Sequence, residues 1–218
     1  MQYGPNIIRA CPNCSEPFIQ PTIFSSNTFG AKFWSDYHVD APMSEEISRF
    51  VVCPKCKTSF WLEDAIKIEM LEQSDTNVKY PAAEYYTSPL PRHYIEALSE
   101  LVLSKDDELY LRIKLFHDFN DRFRYDLDDP LRYDFPGLFV PVLPEQEKEN
   151  KLKLLEILDD SESNLLLKAE ILRELGDFEQ ALTMLSASFP PSHRFAAMLT
   201  EHCLQKNTDV FQIRPTIK

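Results

Sequence analysis

Two cysteine pairs of identical construction constrain this chain more than any other feature. Cys11-Pro12-Asn13-Cys14 and Cys53-Pro54-Lys55-Cys56 both read C-P-x-C, and Phe18 and Phe60 each follow the first cysteine of their pair by seven residues. The pattern is an internal repeat. A two-residue spacer lets one tight turn aim both sulfurs at the same point, and two such turns facing each other supply four soft donors. Proline after the first cysteine fixes φ, while amides in the turn can donate to the thiolates and offset their charge. Ile7 and Ile8 before the first pair, and Phe50, Val51 and Val52 before the second, read as short strands feeding each turn.

The expected ligand set is therefore Cys11, Cys14, Cys53 and Cys56, holding one structural zinc ion. A redox dithiol and an iron centre are the alternatives. Thioredoxin-like sites place proline just before the second cysteine, occur once and lie between a strand and a helix, unlike these two symmetric copies. Four thiolates close the coordination shell, leaving no position for substrate or water. Such a site folds a domain and does not catalyse.

The paired motifs resemble knuckles of the rubredoxin and zinc-ribbon type. Those usually carry glycine after the second cysteine, whereas this chain has Ser15 and Lys57. If these two residues hold a positive φ, the cost is about 1 kcal/mol each, which metal binding worth about 10 kcal/mol or more offsets. Asn27 to Met43, followed by the second pair and Phe60-Trp61, also looks like a segment of uncharacterised bacterial proteins.

The connection between the two knuckles, Ser15 to Val52, is 38 residues long and carries Phe24, Phe29, Phe33, Trp34 and Tyr37. A loop of this length is functional or folded in its own right. Gly30 suggests a turn between two strands. Phe33, Trp34 and Tyr37 are candidate partner-binding residues, set against the plainer expectation that they fill a core too small to stand alone. His38 is a fifth potential ligand on paper, made superfluous by four thiolates.

Behind the cysteine module the composition changes. Residues 72–91 combine polar side chains with Pro81, Pro89 and Pro91 and read as a linker, which puts the boundary near Asp75 and gives domains 1–74 and 75–218. Helical periodicity begins after Pro91, where Ile95, Leu98 and Val102 share a face. A second helix is expected from Asp106 to Arg124, with Leu109, Ile113, Phe116 and Phe123 inward, and the two should form a hairpin. Residues 126–144 read as an extended segment crossing the helices, with 132–137 a possible peptide-contact loop. Four further helices are expected over 147–158, 162–175, 178–188 and 192–206. Within them, Gly176-Asp177-Phe178-Glu179-Gln180-Ala181-Leu182 resembles the turn and second-helix start of a tetratricopeptide repeat, which implies a helical hairpin around 162–188 and a peptide-binding role. Cys203 sits on an apolar helical face with Ala196 and Leu199, and the tail from Thr208 either docks or frays. The fold class is α+β: a small β-rich zinc ribbon and a mostly helical C-terminal domain.

Charge narrows the partners. Lys and Arg number 23 against 35 Asp and Glu, a net charge of −12 that repels phosphate backbones and attracts basic surfaces. Nucleic acid is not an expected target. No run reaches the roughly 18 apolar residues of a membrane helix, and the start lacks the apolar stretch of a secretory signal, so a cytoplasmic protein is expected. Glycine occurs at Gly4, Gly30, Gly137 and Gly176 only, without the clustering that phosphate-cradling loops need. The five histidines are scattered, and the carboxylate runs Asp106-Asp107-Glu108 and Asp126 with Asp128-Asp129 suit a helix start and a proline turn. The resulting expectation is a non-enzymatic cytosolic interaction protein, an adaptor or an immunity-type inhibitor of a basic toxin. An enzyme with a dispersed site, hydrolase or thiol oxidoreductase, is the alternative, and a ribbon that binds nucleic acid comes third.

Overall fold

The computed structural model describes residues 1–44, 46–124 and 143–213. Asp126, Asp128, Asp129, Gly137, the contact loop at 132–137 and nearly all of the crossing segment lie outside the described residues. The fold class is α+β, as expected. Chain contacts divide it into two units, Met1–Ala31 with Ala41–His93, and Lys32–Asp40 with Tyr94–Lys218. Each is described by itself.

The first unit is built from short antiparallel strands. β1 (Gln2–Tyr3) pairs with β4 (Ile23–Ser25), β2 (Asn6–Ala10) lies between β3 (Pro17–Gln20) and β9 (Ile66–Leu71), and β7 (Phe50–Val52) pairs with β8 (Ser59–Trp61). The strands expected at Ile7-Ile8 and Phe50–Val52 are thus β2 and β7. Each cysteine pair is the turn of a hairpin, and the apolar residues of the two hairpins meet. Phe18, Val51, Phe60, Leu62 and Ala65 form one buried cluster with Cys11 and Cys53. Phe18 and Phe60, the matched aromatics of the repeat, pack edge to face at 5.6 Å between ring centroids.

The stretch read as a linker is structured and belongs to this unit. It opens with α1 (Gln73–Lys79), tied to β9 by Lys79 and Tyr80, which donate to Glu69 at 2.6 and 2.5 Å. Residues 84–87 then run along both small sheets: the Ile19 amide donates to the Glu84 carbonyl, and Val52 and Thr87 exchange a pair of backbone hydrogen bonds. Between the turn at Pro81 and the helix that opens at Pro91 the chain is extended, and extended backbone can pair. The unit therefore continues to His93 instead of ending at residue 74.

In the second unit α2 (Pro91–Glu100) leads to α3 (Lys105–Arg124), then α4 (Pro144–Ile157), α5 (Glu162–Glu174), α6 (Phe178–Ser188) and α7 (Arg194–Leu204). Ser104 caps the start of α3: its Oγ accepts from the Asp107 amide and donates to the Asp107 carboxylate. The hairpin expected between α2 and α3 is not formed. Helix α3 packs along α4 instead, with Phe116, Leu154, Leu158, Leu167 and Ile171 as the core. The helical face assigned to α2 was also one register off: Tyr94 and Ala97 are buried, while Val102 lies beyond the helix end in solvent.

The hairpin expected at Gly176 is present. Gly176 takes φ +81°, its amide donates to Arg173 O and that of Asp177 to Leu172 O, the Schellman pattern that ends a helix on glycine. Asp177 then caps α6 through the Gln180 amide, and fully buried Ala169 and Ala181 let the helices approach. The described part of the tail, 208–213, docks: Val210 is buried, and β10 (Gln212–Ile213) pairs antiparallel with β5 (Lys32–Trp34). On its other side β5 pairs with β6 (Val39–Asp40). Gly30 does lie in a turn between strands, as expected, but β4 and β5 do not pair with each other because they belong to different units.

Candidate metal centre and a buried polar cluster

Each C-P-x-C turn is closed by the same two backbone hydrogen bonds. Ser15 N donates to Cys11 O and Cys11 N to Glu16 O, and in the second copy Lys57 N donates to Cys53 O and Cys53 N to Thr58 O. The residue after each pair is left-handed, Ser15 and Lys57 both at φ +61°, which is the conformation the missing glycines would have taken. The two turns face each other. All four Sγ atoms lie within 4.8 Å of one another, a cluster able to hold one metal ion.

The spacing suits a tetrahedral ion. Sulfurs about 2.3 Å from a central cation form a tetrahedron with edges of about 3.8 Å, and the Cys11–Cys56 and Cys14–Cys53 Sγ separations are 3.8 Å. No disulfide joins them. Amides of Lys55 and Cys56 point at Cys53 Sγ at 3.4 and 3.5 Å, and Asn13 Nδ2 donates to Cys56 Sγ at 3.5 Å. Without a cation the thiols differ in acidity. Burial pushes Cys53 up to about 12. Burial also works upward on Cys56, but hydrogen bonds from Asn13 and Thr58 prevail and bring it down to about 6. A bound cation would draw the protons off all four. His38 lies in the other unit and is not a ligand.

Residues 32–40, between the two knuckles, do not fill the core of the first unit. They enter the second. Trp34 is buried and Ser35 and Asp36 are wholly so, while Phe33 and Tyr37 remain about two-fifths exposed at 40% and 41%. Tyr37 takes φ +66° and sets its ring edge-on against Phe195 of α7. The aromatics of the connection that stand in solvent are Phe24 and Phe29, at 78% and 85% exposure.

Asp36 organises a polar cluster. Its Oδ2 pairs with Arg124 and accepts from Asn120 Nδ2 at 3.0 Å, its Oδ1 accepts from the His38 amide at 3.2 Å, and its carbonyl lies 3.0 Å from His117 Nε2. Arg124 also bonds Asp121 at 2.5 Å and the His117 carbonyl at 2.7 Å. Asn120 passes the network to Glu174 at 3.1 Å, and Lys151 joins Glu174 and Glu147 at 2.9 and 2.6 Å. Burial pushes the Asp118 carboxyl up to about 8, with Asp121 adding to the effect, and Glu174 also to about 8. Burial and the Arg124 charge hold His38 and His117 down to about 3.

Sequence reasoning passed over this cluster. Its one signal was that Phe116, Asn120 and Arg124 follow each other at intervals of four, so an apolar helix face continues into an amide and a cation. Cys203 is a buried thiol, as expected, but it clusters with Leu172 and Ala181, while Ala196 and Leu199 belong to a neighbouring cluster. Among the described residues no helix is long and apolar enough to cross a membrane. No family model, curated protein or solved structure matches this chain.

Proposed function

We propose that the first unit is a zinc ribbon held by one structural zinc ion, and that the protein works by binding another protein instead of by catalysis. The closed set of four thiols carries this reading: it uses every donor of the cluster and leaves no coordination position for a substrate. Zinc suits four thiolates in a tetrahedron, and the 3.8 Å Sγ separations fit the edges of one. A net charge of −12 favours a basic partner, as an immunity-type inhibitor or adaptor would have.

Metal analysis and thiol titration test the first half. One zinc per chain, with no thiol of the cluster reacting until a chelator is added, is the expected result; metal-free protein cycling between dithiol and disulfide would overturn it. A pull-down at low and high salt tests the second. A basic protein recovered at low salt and released at high salt is expected, and salt-indifferent capture would remove the electrostatic version. A dispersed hydrolytic site is the second reading, favoured by the Asp118 and Glu174 carboxyls held near 8 beside neutral histidines. It requires turnover that Asp118→Asn abolishes without loss of fold.

A further inference from the structure

The segment 32–40 sits in the helical unit as a bound peptide sits in a receptor, although both of its flanks, Ala31 and Ala41, belong to the other unit. Its first strand, β5, lies on one edge of β10, which adds a strand to it, the mode by which receptor edges capture peptides, and the segment then turns back so that β6 pairs with the other edge of β5. Ser35 is held at both ends of its backbone and side chain: its amide donates to Phe211 O at 2.9 Å and its Oγ accepts from Phe211 N at 3.1 Å. The acidic side chain that follows is wholly buried on a cation and an amide, Arg124 and Asn120. The aromatic neighbours take separate places, Trp34 beneath the Arg124 guanidinium at 5.9 Å and Tyr37 against Phe195 at 5.5 Å. One backbone edge, one charged pocket and two aromatic seats together read an aromatic-Ser-Asp-aromatic sequence.

The occupant does not use everything the receptor side offers. Arg124 Nε and Asn120 Oδ1 are buried without a hydrogen-bond partner. Each is a polar atom taken out of water with nothing to replace the water it lost, and a ligand able to reach it would recover that loss.

We propose that the helical unit is a peptide receptor for acidic-aromatic segments of a partner protein, and that residues 32–40 are its tethered occupant, displaced when the partner binds. The proposal rests on the interaction reading above and places one acidic-aromatic segment on the otherwise basic partner named there. The tether gives the resident segment an effective concentration in the millimolar range, so a competing segment must bind more tightly or be presented several times over.

The test uses the full-length, zinc-loaded chain with residues 33–39 replaced by a glycine-serine stretch of equal length, and a fluorescent peptide of the native 31–41 sequence. Saturable binding to this emptied chain, with binding to the wild-type chain weaker by about 100-fold or more, is expected from the tether. A peptide carrying Asp36→Asn should lose at least tenfold of the affinity. If the emptied chain does not fold alone, recovery of a cooperative melting transition on adding the native peptide, and not the Asp36→Asn peptide, reads the same binding. No binding and no recovery overturns the proposal, as does equal binding of both peptides. A wild-type dimer that exchanges the segment between two copies would place the occupant in a second chain and overturn the assignment to a partner protein. The zinc content and thiol protection of the first unit are read separately, so failure here leaves that half of the functional reading standing.

Discussion

Asp36 and Arg124 have side chains without solvent exposure, and their pairing is the most consequential contact at the scale of single residues. Two charges taken out of water repay their desolvation only when both remain paired. Arg124→Ala leaves the Asp36 carboxylate buried with only the neutral Asn120 and His38 amides as donors, and we expect a loss of about 3–5 kcal/mol in urea unfolding of the second unit. Replacing both partners with apolar residues, Asp36→Leu with Arg124→Met, should cost much less, since no charge is stranded. Equal losses in the two variants would mean the pair contributes through packing alone. A smaller effect is expected at the knuckles. Ser15→Gly and Lys57→Gly each relieve a left-handed residue that carries a Cβ, for a gain of about 0.5 kcal/mol once the extra freedom of glycine in the unfolded chain is subtracted. The check is a rise in the melting temperature of the zinc-loaded first unit.

Elements in this protein are defined by how they end. Helix α5 stops at Gly176, where a Cβ would meet nothing within 4 Å, so any cost of substitution is backbone strain and not a clash. Gly176→Ala should therefore destabilise the second unit by about 1–2 kcal/mol, while leaving the packing of α5 on α6 unchanged in its near-UV spectrum. Helix α7 ends in the same hydrogen-bond pattern on Lys206 at φ +55°, with Lys206 N on Cys203 O and Asn207 N on His202 O. The chain then turns back so that Phe211 stacks on His202 at 3.6 Å and β10 reaches β5. A helix stop thus delivers the strand that holds residues 32–40.

At the scale of the molecule, the two units should respond to different reagents. A zinc chelator at neutral pH is expected to unfold the first unit, whose buried cluster includes two of the four ligands, while the helical signal of the second persists. Simultaneous loss of both would show that the units fold as one. The second unit should respond to pH. Asp118 and Glu174 have folded values near 8, above those of unfolded carboxyls, so their contribution is complete at low pH and is lost as pH rises through 8. His38 and His117, held near 3, act in the opposite sense, and their contribution is lost as pH falls below about 6.5. Between pH 6.5 and 8.5 only the carboxyls operate. The urea midpoint of the second unit should fall over that interval, and Asp118→Asn should flatten the slope.

The sequence by itself determined the features that repeat locally. Each cysteine pair, the strands entering each knuckle, the four C-terminal helices and the glycine-closed hairpin are written in spacing over fewer than about 20 residues, the range in which turn chemistry and periodicity act, and it is the repetition of the same motif that marks the two distant pairs as one cluster. Where the 32–40 segment goes was decided by tertiary structure alone. Trp34 and Asp36 are 90 and 88 positions from Arg124, and no local pattern states that a buried acid between aromatics belongs with a cation on a distant helix. The linker at 72–91 was misjudged for a related reason: proline and polar side chains fix an extended backbone, but whether that backbone pairs depends on a sheet edge elsewhere, here Ile19 and Val52. Local sequence specified the two cysteine knuckles, and long-range electrostatics and strand pairing specified what holds the segment inserted between them.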